Sequence, residues 1–376
     1  MSDFVNTEIY DFSNDASASS FGWNFQSNAG IFLFLKYINE SKSIKIESKL
    51  QDIEIELKDG GKILAQAKSS QDYSIAKDKK EKFKDALISL AKYQNETNQM
   101  IYISNIPDML KSAPNVFNNS VFSYESCLSE TKEEIDDIFD SIGKSIENKI
   151  SAETNSKKKS KLLRIQKNII DLDKTKLYFS VIYPFFGDEQ NRYKIIGDSI
   201  IEFLVDVIHL SRDDAVSIKQ RLLDHWQLKF QHNSTEPDKG TQKAIRKEEF
   251  AWPIAVYLTE DSAVNIDDCL TFIPDKALKS EINRKLSSAE MLFHERFAFA
   301  NVVIQDYISF KRQQSPGTKD IERLFVQKCG NNYCDEFSED NPDEEICEYL
   351  TKLCVYRIIT NYINMNKIGK GIGVTL

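Results

Sequence analysis

The sequence predicts an α/β N-terminal domain, ordered helix, three-strand unit, helix and strand, followed by a mostly α-helical C-terminal region. Three observations carry this. Residues 24–39 are apolar on a broad face, and the hydrophobic period then switches from helical to two. Asp59-Gly60-Gly61 stands between two alternating segments, which is a hairpin signal. Beyond about residue 125, strand patterns become sparse and helical stripes take over.

The elements follow in order. Phe25, Ala29, Phe32, Leu33 and Leu35 spread widely around a helix at 24–39, so that helix is largely buried, and Gly30 allows a close neighbour. Residues 43–47 alternate as a first strand. In 51–57, Ile53, Ile55 and Leu57 oppose Asp52, Glu54 and Glu56. In the returning strand 62–68, Lys62, Leu64, Gln66 and Lys68 share one face. A helix at 78–94 carries Phe83, Ala86, Leu87 and Leu90 at helical spacing, and 100–104 reads as a short apolar strand.

Further on, Ile135, Ile138, Ile142, Ile146 and Ile150 form an amphipathic stripe over 131–150. Residues 176–186 fit either a strand or the start of a buried helix. Ser211 reads as an N-cap, with Asp214 three residues later and a helix running to about Phe230. Further helices are expected over 245–258, 275–312, 318–328 and 344–364. The expected division is a flexible arm at 1–20, a core at 21–125, a helical extension at 126–260 and a helical assembly or regulatory domain at 261–376.

Hydrophobic residues make up 41% and charged residues 28%, an ordinary globular balance. A chain of 376 residues exceeds what one core usually holds, so more than one domain is expected. No apolar run approaches the ~18–20 residues of a membrane span. The polar, acidic start lacks the pattern of a signal peptide, so a cytoplasmic location is expected. Neither a P-loop nor a G-x-G-x-x-G motif occurs, which disfavours an intrinsic ATPase or a nicotinamide enzyme.

Net charge is −9, which argues against a surface coated for nucleic acid but leaves room for local basic grooves. Residues 60–84 hold seven lysines, among them Lys77, Lys79 and Lys80, against three acids. Residues 157–167, starting with Lys157 and Lys158, hold six basic residues and no acid. These stretches either meet phosphate or are solvated helix faces. Cys329, Cys334, Cys347 and Cys354 cluster late, but not at zinc-ribbon spacing; buried small residues and loop thiols are the plainer reading. None of the four histidines has a metal-binding or triad partner at a recognisable spacing.

One constellation suggests chemistry. Glu47 closes the first strand, Asp52 opens the second, and Gln66 and Lys68 lie two apart on the third. Asp52, Glu47 and the Gln66 amide oxygen are hard ligands for a divalent metal. A lysine beside that metal can orient a water, assist its deprotonation and stabilise charge on a phosphate.

An acid, a hairpin and a (Glu/Asp/Gln)-x-Lys strand after an initial helix resemble the PD-(D/E)xK nuclease superfamily, which implies a restriction-endonuclease-like fold. More narrowly, Gly22-x3-Gln26, Glu47-x4-Asp52-Ile53 and Gln66-Ala67-Lys68 resemble the double-stranded DNA endonuclease domain of anti-phage CBASS effectors. Lys239-Gly240-Thr241 and Arg246-Lys247-Glu248-Glu249-Phe250 resemble a segment near the end of that domain. The resemblance spans roughly residues 20–260. It implies an Mg2+-dependent endonuclease, with Asp52 as principal metal ligand, Gln66 in the second motif position, Lys68 as catalytic lysine, Glu47 as supporting acid and Gln26 reaching in from the first helix. Gln66 replaces a carboxylate, which favours one metal over two.

The size and the helical C-terminal half resemble the nuclease effector of Lamassu defence systems. That implies restraint by an SMC-like ATPase and an accessory subunit, with homo-oligomer formation on activation. A second reading stays open: a catalytically inactive nuclease fold serving as adaptor or scaffold, with the polar strand face merely solvated.

Overall fold

The computed structural model describes residues 12–70, 76–106, 110–112, 119–182, 189–235, 244–261, 282, 296–315, 318–335 and 344–374. The elements are α1 (Phe12–Tyr37), β1 (Ser41–Ile46), β2 (Ile53–Leu57), β3 (Lys62–Lys68), α2 (Ala76–Ala91), β4 (Gln99–Ser104), β5 (Phe122–Ser123), α3 (Ser129–Ala152), α4 (Ser156–Ile170), β6 (Leu177–Val181), α5 (Glu189–Glu202), α6 (Arg212–Thr235), β7 (Ile245–Arg246), α7 (Lys247–Asp261), α8 (Arg296–Arg312), α9 (Ile321–Cys329), α10 (Glu344–Thr360) and α11 (Tyr362–Ile372). The protein is α/β, with a mixed sheet in its N-terminal half and a mostly helical C-terminal region.

The chain forms two compact units. The first is 1–199 with 226–245, and the second is 200–225 with 246–376. The α3–α4 hairpin packs on α2 and shares its core. The expected arm at 1–20 overlaps α1, which begins at Phe12.

In the first unit the sheet runs β5-β6-β4-β3-β2-β1-β7. Strands β1, β2 and β3 are antiparallel neighbours, whereas β3, β4 and β6 run parallel. The hairpin forms where the glycines stand. Gly60 takes φ 85°, and the Leu57 N–H bonds the Gly61 carbonyl at 2.8 Å. Ile53, Ile55, Ile63 and Ala65 are fully or almost fully buried. Phe83, Leu87 and Leu90 of α2 join Met100, Tyr102 and Phe179 and the isoleucine stripe of α3 in one core. The ambiguous stretch at 176–186 is a strand over Leu177–Val181 because Leu177 and Phe179 bury against that core.

The C-terminal half of α1 is buried nearly all round, with Ile31–Leu35 buried without a break. Gly30 permits its close packing: a Cβ there would lie 2.5 Å from Ile46 Cδ1 and 3.1 Å from Phe230. Gln227 Nε2 donates to Asn28 Oδ1 at 2.8 Å and fixes the helix further.

In the second unit Ser211 caps α6 as expected, its Oγ accepting from the Asp214 N–H at 3.1 Å. That helix extends past Phe230 to Thr235. Residues 245–246, expected as helix, form the edge strand β7 before α7 starts. Buried Lys247 donates to the Ile372 carbonyl at 2.9 Å, satisfying the C-terminus of α11. Most of the helix expected over 275–295, and Lys239-Gly240-Thr241, lie outside the described residues. Among the described residues, no helix is long and apolar enough to cross a membrane.

Candidate active site

The site is built where β2 begins and β3 ends. The antiparallel register pairs Ile53 with Ala65, so one further step sets Asp52 opposite Gln66. Asp52 lies just before β2 rather than inside it, which frees its carboxylate to turn toward the end of β3. Its Oδ2 accepts from the backbone N–H of Ala67 at 2.9 Å and from the side-chain amide of Gln66. The buried Gln66 is in turn paired in register with Tyr102 of β4.

Glu47 follows β1 in a left-handed conformation, φ 57°. A glutamate pays a steric cost there, and the surrounding bonds hold it. Its N–H donates to the Asp52 carbonyl at 2.7 Å, closing the β1–β2 connection. Inside the loop, Ser48 Oγ accepts from the Leu50 and Gln51 N–H groups at 3.1 and 3.2 Å. Gln51 Nε2 reaches the Ser89 carbonyl on α2 at 2.8 Å. The side-chain amide of Gln26, from α1, lies close enough to Glu47 and Asp52 to lower both carboxyls.

Gln26, Glu47, Asp52 and Gln66 are therefore neighbours, and the Lys68 ammonium is near enough to lower both carboxyls. Burial pushes the Asp52 carboxyl up to about 6; Lys68, the Ala67 N–H and Gln26 pull against this, and the Glu47 charge adds to it. Burial also raises the Glu47 carboxyl, opposed by Gln26 and Lys68. Two carboxylates face one ammonium, a shortage of positive charge in a half-buried place.

The donor set fits a hard divalent cation. Mg2+ takes one or two carboxylates and keeps waters and substrate oxygens for its other positions. Asp52 and Glu47 would supply the charge. Gln66 keeps its Nε2 on Asp52, so only its Oε1 is available as a ligand. Among the described residues no group of three or more His, Cys, Asp or Glu side chains is placed to hold a metal. The candidate centre is thus of the two-carboxylate, amide-assisted kind.

The other sequence candidates separate. Glu54 pairs with Lys62 at 2.7 Å, its side chain engaged by the first residue of β3. Lys79 and Lys80 lie in the first turn and a half of α2, Lys80 exposed. Lys77 is in the same helix, its side chain outside the described residues. Lys157 and Lys158 are exposed in the first turn of α4, at the tip of the α3–α4 hairpin. The other end of α4 is tied down by Gln94 Nε2 on the Asn168 carbonyl at 2.9 Å. Cys347 and Cys354 are buried on α10, and the Cys347 thiol contacts the Cys334 carbonyl at 3.5 Å.

Sequence reasoning missed the supports. Lys82 Nζ bonds the Ser69 carbonyl at 3.1 Å, one residue beyond Lys68, and so adds a cation at this end of β3. Asn105 exchanges two hydrogen bonds with the Ser70 backbone, at 2.9 and 3.0 Å, joining the ends of β3 and β4. Asn105 had a local signal, as the turn residue after an apolar strand. Gln51 and Ser89 had none, since they pair across the fold, whereas Ser48 bonds within its own loop.

Comparison with family models, with curated proteins and with solved structures gave no match.

Proposed function

We propose that this chain is an Mg2+-dependent endonuclease that hydrolyses phosphodiester bonds in double-stranded DNA. The observation that supports it most is the proximity of Gln26, Glu47, Asp52, Gln66 and Lys68, contributed by α1, the β1–β2 connection and β3. In this reading Asp52 and Glu47 hold the cation and Gln66 Oε1 assists. The bound cation supplies a polarised phosphate and a more acidic water. Lys68 places its ammonium toward the phosphate, where charge grows during the displacement. Gln26 keeps the two carboxylates aligned.

The wider reading is an anti-phage defence effector of the Lamassu kind. An SMC-like ATPase and an accessory subunit would restrain it, and release with oligomerisation would activate it. Pairing two copies would put one site on each DNA strand. The inactive-scaffold reading has no comparable support, because a solvated strand face does not require three segments to come together.

The test is plasmid nicking and linearisation by the purified chain with Mg2+, with and without EDTA. Lys68→Ala is expected to cost at least about a hundredfold in rate while the fold is kept. Full activity of that variant, or equal cutting in EDTA, would sink the assignment.

A further inference from the structure

We propose that Trp23 is the substrate-positioning residue of this site, packing its indole face against the deoxyribose that flanks the scissile phosphate of double-stranded DNA. This rests on the nuclease reading above.

The chain has three tryptophans. Trp226 and Trp252 are buried at 0% and 8% exposure, whereas Trp23 is 41% exposed. Trp23 is the exposed tryptophan, and its place on α1 says what it would meet. Trp23 lies three residues before Gln26 on α1, about 60° around the helix and one turn along it. Its neighbour Gly22 marks how near this turn comes to β3: a Cβ on Gly22 would stand 3.8 Å from Ser69 Oγ. Ser69 directly follows Lys68, and its carbonyl holds Lys82. The turn of α1 that carries Trp23 thus stands beside the end of β3, where two lysines could meet phosphate and two carboxylates a cation. Phosphate contacts alone fix neither the depth nor the register of a duplex. A flat apolar side chain against the deoxyribose supplies both, and it does so for any sequence, since every nucleotide carries the same sugar.

Tryptophan fluorescence reads this directly, because iodide in solution reaches only Trp23. Wild-type protein with Ca2+ in place of Mg2+ is titrated with a short duplex, and binding is followed separately by anisotropy of a labelled strand. The duplex is expected to shield Trp23 and lower iodide quenching several-fold. In Mg2+, Trp23→Ala should lose about tenfold in kcat/KM, mostly through KM, and Trp23→Phe should recover most of it. A duplex that binds while Trp23 stays fully quenchable overturns the proposal and leaves the nuclease reading standing. So does a Trp23→Ala variant that cuts like wild type. A wild-type chain that neither binds nor cuts DNA overturns both. The quenching measurement uses unsubstituted protein, so it stands even if a variant misfolds.

Discussion

The Asp52 carboxylate bonds the backbone N–H of Ala67 at 2.9 Å, the residue between Gln66 and Lys68. One bond therefore sets the acid of β2 against the motif strand. Because it uses main chain rather than side chain, it survives any change at position 67 except proline. The site's geometry is a property of strand pairing, and its electrostatics follow from the depth at which that pairing places Asp52.

That depth makes stability depend on pH. The Asp52 carboxyl is raised from 3.8 to about 6, so the folded protein binds this proton more tightly than the unfolded chain does. The contribution to stability is fully present below the unfolded value and is lost as pH rises through about 6. Without metal the loss is at most about 3 kcal/mol at neutral pH. Asp52→Asn removes the charge and is expected to gain Tm over wild type in EDTA, more at pH 8 than at pH 5. Mg2+ should narrow that gap by stabilising wild type alone. A gap that ignores both pH and Mg2+ would disprove this.

Glu47 has a backbone cost that can be separated from its charge. At φ 57°, Glu47→Gly is expected to be about 1 kcal/mol more stable than Glu47→Ala in urea denaturation. Both variants should lose Mg2+ affinity equally, as measured by calorimetry. Equal stability of the two would mean that the residue is not held left-handed in solution.

Two glycine substitutions provide opposite expectations. Gly30→Ala forces a methyl to 2.5 Å from Ile46, next to Glu47, and should cost about 1–3 kcal/mol with a fall in activity. Gly143→Ala, mid-way along α3 with nothing within 4 Å of the new Cβ, should gain about 0.5–1 kcal/mol and leave activity alone. Thermal unfolding of both variants, side by side, checks the packing.

If the tip of the α3–α4 hairpin meets DNA, it does so through phosphate. Lys157→Gln with Lys158→Gln should weaken duplex binding evenly across sequences and reduce the salt slope by about 2. Mg2+ affinity should not move, because α4 is about 22 Å long and these lysines sit at the end away from its anchor at Asn168. An unchanged slope would mark them as solvated helix residues.

Much of the N-terminal unit was legible in the sequence. Alternation fixed which side Ile53, Ile55 and Ile63 take, and the glycine pair at 60–61 fixed the hairpin and hence the register. With the register came the pairing of Asp52 with the Gln66-Ala67-Lys68 strand. Local rules failed where an element's fate depended on distant partners. β7 is only two residues long and follows from an available edge beside β1. The division into units follows from shared burial, which no local signal encodes.

The sequence by itself therefore determined the strand pattern, the hairpin and the chemical identity of the five polar residues. Only the tertiary structure decided that α1 brings Gln26 to Glu47 and Asp52, that Ser48, Gln51 and Ser89 lock the connection between them, and that Asp52 is buried enough to titrate near 6. The physical reason is range. Periodicity and turn chemistry act within a few residues, whereas burial and long-range hydrogen bonds exist only once separate segments have packed together.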